Sequence, residues 1–274
     1  MQAGAAGPAT LAAGAVAILA TADPAAKAAA SRTLAAAWSG ATMAVGRARP
    51  PVRPARPPRP TLRPPKAMPK RRAFGSQAGR IALLHALAHI ELNAIDLGWD
   101  VIARFATPEL PREFFDDWVV VAAEEASHFE LLAGRLADFG AAYGDLPAHG
   151  GLWEAAAATA DDLLARLAVV PLVLEARGLD VTPEMAARLE RIGDLPTAAI
   201  LHRIYRDEIG HVAIGMRWFE RLCRTRGLAP EAVFHERVER CFKGQLKPPF
   251  NRAARAAAGF PARYYEPLGM SGPG

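Results

Sequence analysis

Residues 122–132 read AAEEASHFELL and residues 206–219 read RDEIGHVAIGMRWF, so Glu125 stands three before His128 and Glu208 three before His211. On an α-helix that spacing sets a carboxylate and an imidazole on one face, able to grip one metal ion together. One such pair carries little weight, because 16 Glu and 7 His scattered over 274 positions give about 0.4 pairs by chance. Position adds the weight. Glu91 lies 34 residues before Glu125, and Glu175 lies 33 before Glu208. From one half to the other, Glu91 to Glu175 is 84 residues, while Glu125 to Glu208 and His128 to His211 are each 83. The chain therefore reads as two helical hairpins sharing one ligand plan. Stacked antiparallel, they bring four carboxylates and two imidazoles to the middle of a bundle, the pattern of di-iron and di-manganese carboxylate proteins.

The flanking sequence supports four long helices. Ile81, Leu84, Leu87, Ala88, Leu92, Ile95 and Trp99 recur at three- and four-residue intervals, as one helix of roughly 30 residues requires. Pro108 and Pro111 end it and open a second run from Phe114 to Phe139, stopped by Gly140. A third spans about Gly151 to Arg177 with Gly178 as its stop, and Thr182-Pro183 opens a short helix to Ile192. Pro196 starts the fourth long helix, closed by Gly227, and a last one covers Pro230 to Lys243, with a mostly irregular tail after Pro248. Pro171, one turn before Glu175, should kink or loosen the third helix. No segment alternates with period two. The expected class is all-α, a four-helix bundle over residues 73–227 with extra N-terminal helices in 1–45, an extended strap over 46–72 and a C-terminal helix and tail in 228–274.

Burial makes the acids expensive. Around Glu91 the same-face positions Leu87, Ala88, Ala94 and Ile95 are apolar, so its carboxylate enters the interior and needs a compensating charge. Two divalent ions neutralise four carboxylates, and mixed carboxylate and imidazole donors suit iron best, with manganese as the alternative. Each Glu-x-x-His follows an acid, Glu124 or Asp207, placed to hold the outer N–H of a metal-bound imidazole. Tyr205, one turn before Glu208, is either a neighbour of the metals or a plain core tyrosine. Asp96, Asp100, His85, His89 and His202 fall off the faces defined by the Glu ligands, so a surface or satisfied core role is expected for them.

Residues 46–72 hold ten basic side chains, nine prolines and no acid, and without them the net charge of +5 becomes −5. Such a strap is extended. It serves as a linker, as a belt on the acidic body, or as an arm whose arginines bind nucleic-acid phosphates. At the N-terminus, 20 alanines in 45 residues accompany a helix around Leu11–Ala20 and another after Asp23, with Pro24 at its first position. Leu11–Ala20 is too short to span a bilayer and lacks a basic lead, so neither membrane nor cleaved signal is expected. Two cysteines, Cys223 and Cys241, exclude a disulfide scaffold and a Cys-ligated metal and fit the reducing cytoplasm.

Beyond these residues, the chain resembles a bacterial ferritin-like family known as domain of unknown function 455, through HALAHIELNAIDL (85–97), AAEEASHFELL, YGDLPAHGGLWE (143–154), VPLVLEARGLDVTP (170–183) and RDEIGHVAIGMRWF. The likeness extends to ATADPAAKAAASRTLAAAW (20–38), the Arg-Pro strap, and the PFN and AAGF strings near Asn251 and Gly259. By similarity to the wider ferritin-like group, which includes rubrerythrins, ribonucleotide reductase small subunits and tRNA isopentenyladenosine hydroxylases, the metal ligands would be Glu91, Glu125, His128, Glu175, Glu208 and His211. Glu124 and Asp207 would be their outer partners. The resemblance implies no substrate. The expectation is an O2-activating di-metal oxidoreductase, a hydroxylase or related oxidase, fed by an external electron donor. Alternatives are iron or peroxide handling of the ferritin or rubrerythrin kind and a non-catalytic helical adaptor with a structural metal.

Overall fold

The computed structural model describes residues 8–40, 43–68 and 75–270, so Lys70, Arg71 and Arg72 of the strap lie outside the described residues. Among these the secondary structure is helical, with no strand beyond two isolated bridges. The chain divides into two compact units, Met1–Gly150 and Gly151–Gly274.

In the first unit, α1 (Leu11–Leu19) and α2 (Pro24–Ser39) begin where Thr10 and Asp23 accept hydrogen bonds from Ala13 N and Ala26 N. The long helices α3 (Gln77–Phe105) and α4 (Arg112–Asp138) form a hairpin, with α1 on α3 and α2 on α4. Ser76 caps α3. Every residue from Glu91 to Ala103 is buried, so this part of α3 has no solvent face. A Cβ on Gly98 would stand 2.9 Å from that of Ala122, so the two long helices touch through their backbones there. By length and composition α3 could cross a membrane, yet 72% of its apolar window is buried within the protein.

That interior holds a polar knot, and it fixes the strap. Asp96, fully buried, receives Lys27 Nζ of α2 at 2.5 Å and Arg56 Nη2 of the strap at 2.8 Å. Arg56 also donates to Asn93 Oδ1, and Lys27 to the Ala55 carbonyl. Burial lowers the pKa of Lys27, against the pull of Asp96, and raises that of Asp96. The strap's backbone is tied as well. Ala55 N donates to Leu19 O and Arg63 N to Ala148 O, each at 2.8 Å, while Arg104 reaches Pro51 O. The described strap is thus a belt docked on its own unit, held by main-chain bonds and the half-buried Arg56, while Arg47, Arg49, Arg53, Arg59 and Arg63 remain exposed.

The second unit opens with α5 (Gly151–Ala157), followed by α6 (Leu163–Val169), a π-helical segment (Val170–Glu175) and α7 (Ala176–Arg191). Two boundaries expected here are corrected. The third helix does not run unbroken from Gly151; it restarts at Leu163 with Asp162 as its cap. Gly178 does not stop it either, because Ala176, Leu179, Thr182, Ala186 and Leu189 continue one buried stripe through Pro183. The loosening expected at Pro171 is present. Pro171 has no N–H to give, and its carbonyl accepts from Ala176 N five residues on, widening the turn that ends at Glu175.

Next come α8 (Leu195–Thr225), which pairs with α7, and α9 (Pro230–Cys241). Gly140 and Gly227 follow α4 and α8 with positive φ, as helix-ending glycines do. The tail is less irregular than its prolines suggest. Asn251 caps α10 (Arg252–Ala257), and α11 (Ala262–Met270) packs on α9. Arg255 of α10, 2% exposed, anchors the tail by donating through Nε and Nη2 to Asp180 of α7.

The docked belt predicts slow amide exchange at Ala55 and Arg63 and fast exchange at Arg53. Arg56→Ala should cost about 2–3 kcal/mol by leaving Asp96 under-compensated, while Arg53→Ala should stay within about 0.5 kcal/mol; chemical denaturation measures both.

Candidate metal centre

Within the first unit, Glu91 sits mid-α3, and Glu125 and His128 one turn apart on α4; all three are buried. Each offers a donor atom within 4.8 Å of the others. His128 Nδ1 is 3.2 Å from Glu125 Oε2 and 3.6 Å from Glu91 Oε2. The second distance exceeds hydrogen-bond range, and Glu91 Oε2 is buried with no hydrogen-bond partner among the described residues. Burial, and then the neighbouring Glu125 carboxylate, pushes Glu91 up to about 8. Burial pulls His128 down, but its hydrogen bond to Glu125 and the pull of the nearby Glu91 carboxyl outweigh it, raising the imidazole to about 11. A proton on His128 therefore supplies positive charge beside the Glu125 carboxylate and the Glu91 carboxyl, in the place where a metal cation would act.

The second unit repeats the arrangement. Glu175 ends the π segment, Glu208 and His211 share one face of α8, and their donor atoms again lie within 4.8 Å of one another. His211 Nδ1 is 3.8 Å from Glu208 Oε2. Glu208 and His211 are buried and Glu175 is half-buried. Close packing positions this group. Gly215, seven residues after Glu208, faces Pro171 so tightly that a Cβ would meet the ring at 2.5 Å. These Glu and His donors, two of the three buried, could hold a metal ion.

Other expected neighbours lie as follows. Glu124 and Asp207 are half-buried, and Asp207 Oδ2 is 3.6 Å from Arg203 Nε. Tyr205 is half-buried, and its hydroxyl accepts from Asn251 Nδ2 at 3.1 Å, which ties it to the tail. The residues set aside in the sequence have partners. Asp96 is the buried knot, Asp100 binds Arg104 at 2.7 Å, and His202 reaches Glu190 on the surface. His85 Nε2 accepts from Gly144 N. His89 lies between the Tyr143 hydroxyl, 2.8 Å from Nδ1, and the His149 carbonyl, 3.0 Å from Nε2. Sequence reasoning missed the Arg255–Asp180 pair, although the strings bracketing Arg255 were among those carrying the family resemblance.

The comparisons agree with that resemblance at the level of the family. A family model described as "Protein of unknown function (DUF455)" matches residues 20–266, and the chain belongs to this family. An uncharacterized protein of Haemophilus influenzae is 46% identical over 204 residues, covering 71% of this chain and 69% of the relative. No solved structure matches.

Burial lowers His89 from 6.5 to about 4, so the folded protein keeps it neutral where the unfolded chain takes up a proton. Stability from this group is present above pH 6.5 and is lost as the pH falls toward 4, by about 3 kcal/mol in all. Denaturation of wild type and His89→Gln across this window should show the wild-type advantage shrinking as the pH falls.

Proposed function

We propose that the two Glu and Glu-x-x-His groups meet as one two-metal centre in a ferritin-like four-helix bundle, and that the protein is an O2-activating oxidoreductase of the hydroxylase class. The observation carrying this reading is the repetition. Each hairpin buries a Glu-x-x-His pair against a lone Glu of its partner helix, with all three donors within 4.8 Å. Glu91, Glu125 and His128 would hold one side and Glu175, Glu208 and His211 the other, with Glu124 and Asp207 steadying the outer imidazole N–H groups. Iron held by these residues would supply redox chemistry toward O2, with an external donor as the source of electrons. The chain's own part is to hold the ions in a dry interior, to neutralise them with four carboxylates, and to let Glu175 shift on its widened π turn.

Metal analysis after aerobic and anaerobic purification should find about two iron or manganese ions per chain, with O2 uptake when a reductant is added. Glu125→Ala combined with His211→Ala should abolish both while the helical circular dichroism persists; no bound metal under metal-replete conditions refutes the assignment. Because Glu91 and His128 both hold protons at pH 7, metal uptake should release protons and tighten as the pH rises.

The exposed belt arginines favour a second property, phosphate binding to nucleic acid, compatible with docking because the backbone and Arg56 do the anchoring. Replacing Arg47, Arg49, Arg53, Arg59 and Arg63 by Ala should weaken RNA binding at low salt and flatten its salt dependence; RNA affinity unchanged by that replacement, or absent in the wild type, rules it out.

A further inference from the structure

We propose that the second unit carries a binding subsite for a small organic carboxylate with an apolar tail, between the π segment and tail residues 242–250. The two surfaces enclose a cavity of about 120 Å³. Val173 and Leu174 of the π segment line it on one side and Leu246 on the other, giving an apolar wall. Its charged lining is one-sided: Arg177, Lys247 and Arg255 against Asp180 alone.

Arg255 supplies the recognition group. Its Nε donates to Asp180 Oδ1 at 3.0 Å, and its Nη2 donates to Asp180 Oδ2 at 2.8 Å and to the Ala176 carbonyl at 3.2 Å. The remaining nitrogen, Nη1, is buried and meets no acceptor among the described residues. Tyr265, Phe250 and Phe260 surround the guanidinium at 4.4, 5.0 and 5.4 Å from ring centroid to Cζ. Aromatic rings offer π density but no oxygen lone pair to Nη1. A buried charged donor left in this way is costly, and an oxygen from a ligand would satisfy it. With three cations facing one carboxylate, an anionic oxygen fits better than a neutral carbonyl. Asp180 occupies the other edge of the fork, so the ligand takes a single edge.

Phe250 also walls two open hollows of about 460 and 400 Å³ beside the cavity, which give a longer ligand tail somewhere to go. Leu174 immediately precedes Glu175. If the proposed metal reading holds, the occupant therefore borders a ligand-bearing turn and is a candidate substrate; binding itself does not depend on that reading.

Titration calorimetry of the full chain, metal-loaded and metal-free, with hexanoate and with 1-hexanol separates the possibilities. Hexanoate should bind saturably at one site per chain, and 1-hexanol, with the same tail and no charge, at least about tenfold more weakly. Leu246→Trp, a substitution in the half-buried tail wall that fills the cavity, should weaken hexanoate at least about tenfold without changing the melting temperature or the metal content. Arg255→Lys should weaken it similarly but is expected to loosen the tail, so Leu246→Trp decides. No hexanoate binding, equal binding of the alcohol, or unchanged binding by Leu246→Trp overturns the subsite. Hexanoate binding in a chain that never takes up metal overturns the metal centre and leaves the subsite standing.

Discussion

Ionised carboxylates inside a helical protein need compensating cations, and the elements that supply them are fixed by doing so. Asp96 on α3 draws Lys27 from α2 and Arg56 from the strap. Asp180 on α7 draws Arg255 from α10. In both units a flanking segment is tied to a helix by an arginine whose fork meets a buried aspartate side chain. Such pairs need not add much net stability, since desolvation offsets much of the attraction. Their consequence is registry, because each arginine meets its buried aspartate and a second acceptor in a geometry that leaves few alternatives.

The paired Glu and His groups obey the same constraint with a different answer. Beside Glu91 and Glu125 positive charge comes from His128 on Glu125's own helix. A proton is a compact and removable counter-ion. That distinguishes this pair of carboxylates from the knot at Asp96 only five residues along α3, where the cations are delivered covalently by other elements. The contrast explains why one set of buried acids is a structural clamp and the other a candidate for exchange between proton and metal.

Much of this could be read from sequence because helix periodicity and donor spacing are local properties. The runs ending at Gly140 and Gly227 were legible because each glycine takes positive φ and the apolar stripe ends there. Gly178 carried the same letter but not the same context, since Leu179, Thr182, Ala186 and Leu189 extend the stripe beyond it. Periodicity was the better guide, and the glycine misled. Asp96 and His89 were judged by the face of α3 they occupy, which presumes a helix with one wet side. With Glu91 to Ala103 buried throughout, every side of α3 is interior, and a polar residue on any of them must find a partner.

Long-range pairing was the part that spacing alone could not supply. Nothing local to Arg56 sets it apart from Arg53 or Arg59, all three preceding a proline in the same strap. Arg56 is the one whose fork meets Asp96 and Asn93, because the main-chain bonds at Ala55 and Arg63 hold the extended chain in one register. Proline contributes by subtraction. It removes a third of the strap's amide donors, so attachment through the main chain falls to those that remain, Ala55 and Arg63 among them. The net charge that first suggests a free basic arm therefore has a mostly geometric role in the folded chain, with one arginine turned inward and five left on the outer surface.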